Sequence, residues 1–436
     1  MTEAGAFASA VSVKALWTAW DSHWDATLYT ASSLAKSLAQ FLVGFFVVRL
    51  ILPEELGVWN SISLASTYAI FLQGGIINGL NRELPYQLGT GRAQRAEAYA
   101  GTAQSYTAAG CFLGLILGGI SLIVFRGKGF STSLAIVAVT LMTGFTFYQN
   151  YLMVTFRSKS SFNDLARIQF LAALLMVLTI PMLYLWRYNG MLLRIILVTA
   201  GGVWLLHRVR PIRVNLIWDW DAFKNLMLTG LPIFILAYIE STAGTVDRLV
   251  LLKSGGVEQV GYYSLALYMM QSISIIPLSL TSYVYPRMSY SFGKTGDPMV
   301  LWNKAWKATL AVFGIMAPLT VAGWFAIPVA VPMLFPKYVP GIFPAQITLV
   351  GAFFYGAVIT VIPLWSMKAW KYMIAYQLSG SALRVAGPYI GAKLFSSPLT
   401  GVAYGMFCVY VVNFGVGLGL TYVATHHSQR TLNFAR

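Results

Sequence analysis

Apolar runs long enough to cross a bilayer recur about a dozen times along this chain, separated by short polar loops. A spanning helix needs about 20 apolar residues. On that criterion the pattern predicts helices over 28–51, 56–81, 98–125, 131–156, 164–186, 190–207, 224–252, 259–288, 303–327, 342–366, 372–394 and 399–424. Pro277 interrupts the eighth span, which is expected to close near Pro286, while Gly230, Pro232 and Gly244 offer a bend in the seventh. The expected fold is an all-α polytopic membrane protein.

Composition agrees with the pattern. Hydrophobic residues make up 57% of the chain, charged residues 10%, and mean hydropathy is +0.67. The twelve spans consume most of the 436 residues, so no soluble catalytic domain fits in the remainder. Cys111 and Cys408 both fall within spans and suggest no disulfide framework. Residues 1–27 lack the apolar core of a signal peptide; Trp17, Trp20 and Trp24 among polar residues read as an interfacial amphipathic segment or an aromatic-anchored tail.

Loop charge sets an orientation, because cytoplasmic loops carry the excess of Lys and Arg. With the N-terminus inside, 19 basic residues fall on cytoplasmic segments and 7 on outside loops, which places both termini in the cytoplasm. The net charge of +16 thus reflects basic loops facing anionic headgroups and does not imply nucleic-acid binding. Four cations lie within or at the edge of spans: Lys36, Arg49, Arg248 and Arg384. Such groups are expensive in hydrocarbon and face a partner or a watery cavity.

An internal echo divides the chain. P-E-E-L-G-V-W-N-S at 53–61 matches V-E-Q-V-G-Y-Y-S-L at 257–265, a shift of 204 that aligns Glu54 with Glu258, Gly57 with Gly261 and Trp59 with Tyr263. The implied plan is a cytoplasmic N-terminal segment (1–27), an N-lobe of six spans (28–207), a cytoplasmic linker (208–223), a C-lobe of six spans (224–424) and a cytoplasmic tail (425–436). Repeated bundles of this kind are a common transporter architecture.

Three segments carry a family resemblance: T-V-D-R-L-V-L-L-K-S-G-G-V-E-Q-V-G-Y-Y-S-L-A-L at 245–267, I-I-P-L-S-L-T-S-Y-V-Y-P at 275–286 and R-L-I-L-P-E-E-L-G-V-W-N at 49–60. The chain resembles the polysaccharide (O-antigen and exopolysaccharide) flippase branch of the multidrug/oligosaccharidyl-lipid/polysaccharide exporter superfamily. The resemblance implies a MATE-like fold in the bacterial inner membrane. It also implies a non-enzymatic flippase that moves undecaprenyl-type pyrophosphate-linked oligosaccharides from the cytoplasmic to the periplasmic leaflet, alongside membrane lipids and polysaccharide polymerase machinery.

Such a substrate carries an anionic pyrophosphate whose desolvation in lipid is prohibitive, and embedded cations would offset it. Lys36, Arg49, Arg248 and Arg384 are the candidates for a cationic cavity. Three have an alternative: Arg49 snorkels to the interface, Arg248 pairs with Asp247, and Arg384 anchors helices beside Gly380 and Gly387, while the depth of Lys36 in its span favours the cavity. Glu240 and Asp247 fall within about 20° on a helical wheel and Arg248 within about 80° of Glu240, so all three could border one cavity. By the 204-residue shift Lys36 corresponds to Glu240, and the pair is expected to face each other across the lobes. The two carboxylates raise proton or sodium coupling, against charge balance for Arg248. Tyr262, Tyr263, Tyr268, Tyr283 and Tyr285 read as interface aromatics or sugar platforms.

Other chemistries lack support. G-K-T at 293–295 has no upstream phosphate-loop glycines. His23, His207, His426 and His427 have no zinc-ligand spacing, and the terminal pair reads as exposed tail; no cofactor or metal is expected. A membrane glycosyltransferase or polymerase would need a longer outside loop. The main alternative is a cation-coupled multidrug exporter of the same superfamily, which should prefer carboxylates without phosphate-binding cations.

Overall fold

In the computed structural model, which describes residues 28, 29 and 31–434, the secondary structure is helical throughout the described residues. The interfacial segment read over 1–27 lies outside them. In chain order the helices are α1 (31–50), α2 (Pro53–Ala69), α3 (Ile76–Gly89), α4 (Ala93–Val124), α5 (Phe130–Ser158), α6 (Phe162–Leu178) and α7 (Pro181–Val209). They continue as α8 (Trp220–Ala243), α9 (Val246–Thr295), α10 (Pro298–Leu334), α11 (Ile342–Tyr355), α12 (Ile362–Ser366), α13 (Trp370–Leu394) and α14 (Pro398–Phe434). Eight stretches of the described residues are long and apolar enough to cross a membrane.

The predicted span boundaries reappear as breaks in the backbone. Two long helices each contain a reversal: α7 leaves helical geometry at Arg187 and α9 at Gly256. These points separate predicted spans 5 from 6 and 7 from 8. Gly256, at φ 81°, takes a backbone conformation that costs glycine nothing. Arg187, at φ 48° and ψ −122°, takes one that strains any residue with a Cβ. The second span is divided by a turn through Gly74 and Gly75 into α2 and α3. The tenth is divided by a 3₁₀ segment at Gly356–Val361.

Two expectations are corrected. The eighth span does not close near Pro286, because α9 continues through Pro277 and Pro286 to Thr295. A proline within a membrane helix frees one carbonyl, which costs less than ending the helix and exposing a full turn of backbone. The terminal histidine pair is not wholly exposed tail: His426 is half-buried, its ring 3.8 Å from Tyr422 and 6.4 Å from Trp302 between centroids, as α14 runs on to Phe434.

The chain forms two compact units. The first comprises α1 with residues Ala69–Ile235. Its core joins Ile76, Leu80 and Leu84 of α3 to Tyr99 and Ala103 of α4, Tyr151 and Phe156 of α5, and Leu165 and Ile168 of α6. Outside that core, Phe112, Ile123 and Phe130 are 66–74% exposed, as expected of helices solvated by lipid. Ser105 Oγ donates to the Ile217 carbonyl at 2.8 Å, and the Asp219 amide donates to Thr102 Oγ1 at 3.2 Å. The linker therefore lies along α4.

The second unit comprises Ile51–Tyr68 with Leu236–Arg436. This differs from a cut at the linker: α2 packs with the C-terminal helices, and α8 is shared between the units just past Pro232. Here the sequence echo finds a physical cause. A Cβ on Gly57 would meet the Val257 carbonyl group and the Gly261 amide nitrogen, and one on Gly261 would meet the Pro53 carbonyl group. Asn60 Nδ2 donates to Ser264 Oγ at 2.7 Å, again between residues 204 apart. The two copies of the motif thus cross each other, and each repeat position touches its own counterpart region. A glycine at the crossing is what lets two helical backbones approach so closely.

Candidate functional site

The second unit contains a cavity of about 120 Å³, placed where α8, α11, the 3₁₀ segment, α12, α13 and α14 come together. Its charged residues are Glu240 and Arg384; its other polar residues include Gln377, Ser381 and Asn413; and its aromatic residues are Tyr355, Trp365 and Tyr376. Gln377 Nε2 donates to Glu240 Oε2 at 2.8 Å, and Arg384 Nη1 reaches Glu240 Oε1 at 3.4 Å. The pair brings α8 and α13 together across 144 residues of sequence. On the same wall Asn413 Nδ2 donates to the Tyr376 hydroxyl at 3.0 Å. Glu240 and Arg384 thus leave this wall charge-balanced.

The cavity opens between helices that pack tightly elsewhere. Gly387 of α13 meets the Gly405 carbonyl group of α14, and a Cβ on Gly380 would come within 2.8 Å of Asn413 Oδ1. Small residues along one face of α13 therefore bring α14 close and hold Asn413 beside Tyr376. The larger Tyr376, Gln377 and Arg384 then line the space between the helices.

A second cluster is buried. Asp247 is 4% exposed and lies at the start of α9, where its Oδ1 accepts the Arg248 amide at 2.7 Å and stands 3.7 Å from the Arg248 Nε. The buried Tyr263 hydroxyl also bonds Asp247. Tyr410 lies within electrostatic reach of both Asp247 and Arg384, and its ring packs edge-on against Tyr355 at 6.0 Å.

The sequence-predicted residues separate accordingly. Of the three residues expected to share a face, Glu240 lines this cavity with Arg384, while Asp247 and Arg248 pair with each other. The break between α8 and α9 at Gly244–Thr245 interrupts the helical phase on which their common face was reckoned. Tyr263 belongs to the core rather than to an interface, because Asp247 needs its hydroxyl. Tyr262 donates to Glu258 at 2.6 Å, and Tyr285 is exposed.

Lys36 and Arg49 belong to the first unit, Glu240 to the second. Lys36 is half-buried on α1, one turn beyond Ser32 and Ser33, whose hydroxyls donate to Gln169 Oε1 of α6 at 2.9 and 3.0 Å. A polar strip thus runs along α1 to Lys36. Neither Lys36 nor Arg49 has an ion pair among the described residues, and Arg49 is exposed near the end of its helix. Sequence reasoning missed Gln169, Gln377 and Asn413, although uncharged amides inside apolar runs carry the same signal as embedded charges in weaker form. No group of His, Cys, Asp and Glu able to hold a metal ion occurs among the described residues.

No protein-family model matches the chain. No curated protein sequence matches it either. Solved structures do. An inward-facing multidrug resistance MATE family transporter of the MOP superfamily aligns over 91% of this chain and 96% of its own, with a TM-score of 0.71 at 16% identity. The lipid II flippase MurJ in an inward closed conformation aligns over 94% and 92%, with a TM-score of 0.68 at 12% identity. An outward-facing MATE transporter aligns over 93% and 95%, with a TM-score of 0.59 at 15% identity. The chain is a multi-pass, all-helical membrane protein with the MATE-like fold that these transporters share.

Proposed function

We propose that this protein is a flippase of the bacterial inner membrane. It carries polyprenyl-pyrophosphate-linked oligosaccharides from the cytoplasmic to the periplasmic leaflet by alternating access, for cell-surface polysaccharide synthesis. The observation that carries the reading is Lys36, a half-buried cation in an apolar helix with no ion pair among the described residues. An embedded charge of this kind needs a counter-ion from elsewhere, and an anionic headgroup supplies one. The fold supports it, since one of its structural relatives is a lipid II flippase. Arg49 serves the same headgroup in this reading, and Arg248 and Arg384 contribute less because carboxylates already face them.

A cation-coupled multidrug exporter is the second reading, favoured by the half-exposed Glu240 and the buried Asp247. In either case these carboxylates are the proposed sites of proton or sodium coupling. The test reconstitutes the protein in liposomes with a fluorescent polyprenyl-pyrophosphate oligosaccharide and compares wild type with Lys36→Ala and Arg248→Ala. Flipping by wild type that is lost in Lys36→Ala, with the variant still folded, is the expected result. Expulsion of a cationic dye with no movement of lipid-linked sugar would transfer the assignment to the exporter.

A further inference from the structure

The cavity in the second unit has a composition suited to one part of such a substrate only. Resting on the flippase reading, we infer that it is a saccharide subsite, which binds a single uncharged sugar ring of the headgroup and does not bind the pyrophosphate.

Charge argues first. Among the described residues, the charged ones lining the cavity are Glu240 and Arg384, and they face each other at 3.4 Å. The lining is neutral as a whole, and a carboxylate on its wall repels phosphate oxygens. Arg384 is also the less exposed partner, 16% against 48% for Glu240. The guanidinium is thus the less accessible of the two to an anion arriving from water.

Polar chemistry argues next. Sugar hydroxyls both donate and accept, and are matched by planar groups that do the same. Glu240, Gln377 and Asn413 supply carboxylate and amide planes on one lining. Glu240 accepts from Gln377 and Arg384, leaving lone pairs for hydroxyl donors. Asn413 Oδ1 and Ser381 Oγ are buried and have no hydrogen-bond partner, a cost that a ligand hydroxyl would relieve after a small side-chain shift.

Shape and apolar surface complete the case. The rings of Tyr355, Trp365 and Tyr376 line the same space, offering faces to the C–H side of a pyranose. A space of about 120 Å³ admits a small ligand and not an oligosaccharide. Polar groups at this depth of a membrane protein are costly unless they face water or a ligand, and the subsite gives them one.

The test uses full-length protein in lipid nanodiscs and saturation-transfer difference NMR. The probes are free glucose, galactose, mannose, rhamnose and N-acetylglucosamine, with inorganic pyrophosphate as competitor. At least one sugar should receive saturation, pyrophosphate should not displace it, and Gln377→Leu and Tyr376→Ala should each weaken it by about tenfold. Asn413→Leu, which sits on the opposite helix, provides an independent variant should either of these fail to fold. Absence of binding by every sugar, displacement by pyrophosphate, or binding unchanged in folded variants would overturn the subsite. Because free sugars are read without transport, the outcome is separable from that of the flipping assay: sugar binding without flipping removes the flippase and leaves the subsite, and flipping that persists in Gln377→Leu with no sugar binding does the reverse.

Discussion

The crossing of α2 with α9 offers the sharpest physical test of the sequence echo. Replacing Gly57 by Ala places a Cβ 2.9 Å from the Val257 carbonyl carbon and 3.0 Å from the Gly261 nitrogen; replacing Gly261 places one 3.0 Å from the Pro53 Cα. Backbone atoms on both sides leave no flexible side chain to move aside, so the helices must separate. Overpacking of this kind costs about 1–3 kcal/mol. Separation also breaks the Asn60–Ser264 hydrogen bond, for about 1 kcal/mol. Against this, Ala gains about 1 kcal/mol of helix propensity over Gly. The balance is a loss of about 2 kcal/mol for either single variant.

The double variant distinguishes this account from general disruption. Once the first Cβ has pushed the helices apart, much of the room needed by the second already exists, so the two costs should not add. Gly57→Ala/Gly261→Ala should lose about 2–3 kcal/mol in total, below the roughly 4 kcal/mol of simple addition. Thermal unfolding in nanodiscs, followed by tryptophan fluorescence, should report single-variant losses of roughly 4 °C or less for a chain of this size. Full additivity, or singles that melt with wild type, would refute a shared close crossing at these glycines.

Four further outcomes are expected. Arg187→Gly should raise the melting temperature by an amount corresponding to about 1 kcal/mol, since glycine adopts φ 48° without a Cβ penalty; an unchanged or lower value would place no strain there. Lys36→Ala should abolish flipping while Lys36→Arg retains it, because the anion needs the charge more than the stem; equal loss in both would point to a packing role. Glu240→Gln should remove dependence of transport on the ion gradient, read as flipping rate with and without an imposed proton or sodium gradient; persistent dependence would exclude Glu240 from coupling. Asp247→Asn should destabilise the protein by about 3 kcal/mol, the cost of leaving Arg248 without its buried partner, measured by the same melting assay.

Two of the span boundaries were legible because each has a local chemical cause. Arg187 and Gly256 stand in polar turns between apolar runs, and the backbone reverses at those residues. Partner choice was not legible. Glu240 found Arg384, on α13 and 144 residues away, rather than Arg248, and helical phase within one segment contains no such information. The same limit hid Gln377 and Asn413, whose importance comes from the wall they share. Pro286 misled for another reason. In water a proline near a helix end marks its end, whereas in lipid the unsatisfied turn beyond it would cost more than the kink.

The echo at 53–61 and 257–265 also acquires a meaning that similarity alone does not give. Duplication would account for a resemblance but would not require the two copies to touch. Here Gly57 and Gly261 lie at one crossing and Asn60 bonds Ser264, both at the repeat interval of 204. A substitution at one copy therefore changes the environment of the other. Contact between equivalent positions makes each glycine a condition on its counterpart, which is a physical reason for this short motif to remain recognisable in both halves while the surrounding helices diverge. Lys36 and Glu240 illustrate the contrast: they too are 204 apart, but one stands without an ion pair among the described residues and the other is held by Gln377 and Arg384. Where the repeats meet, the residues match; where each unit builds its own polar site, they have opposite charge.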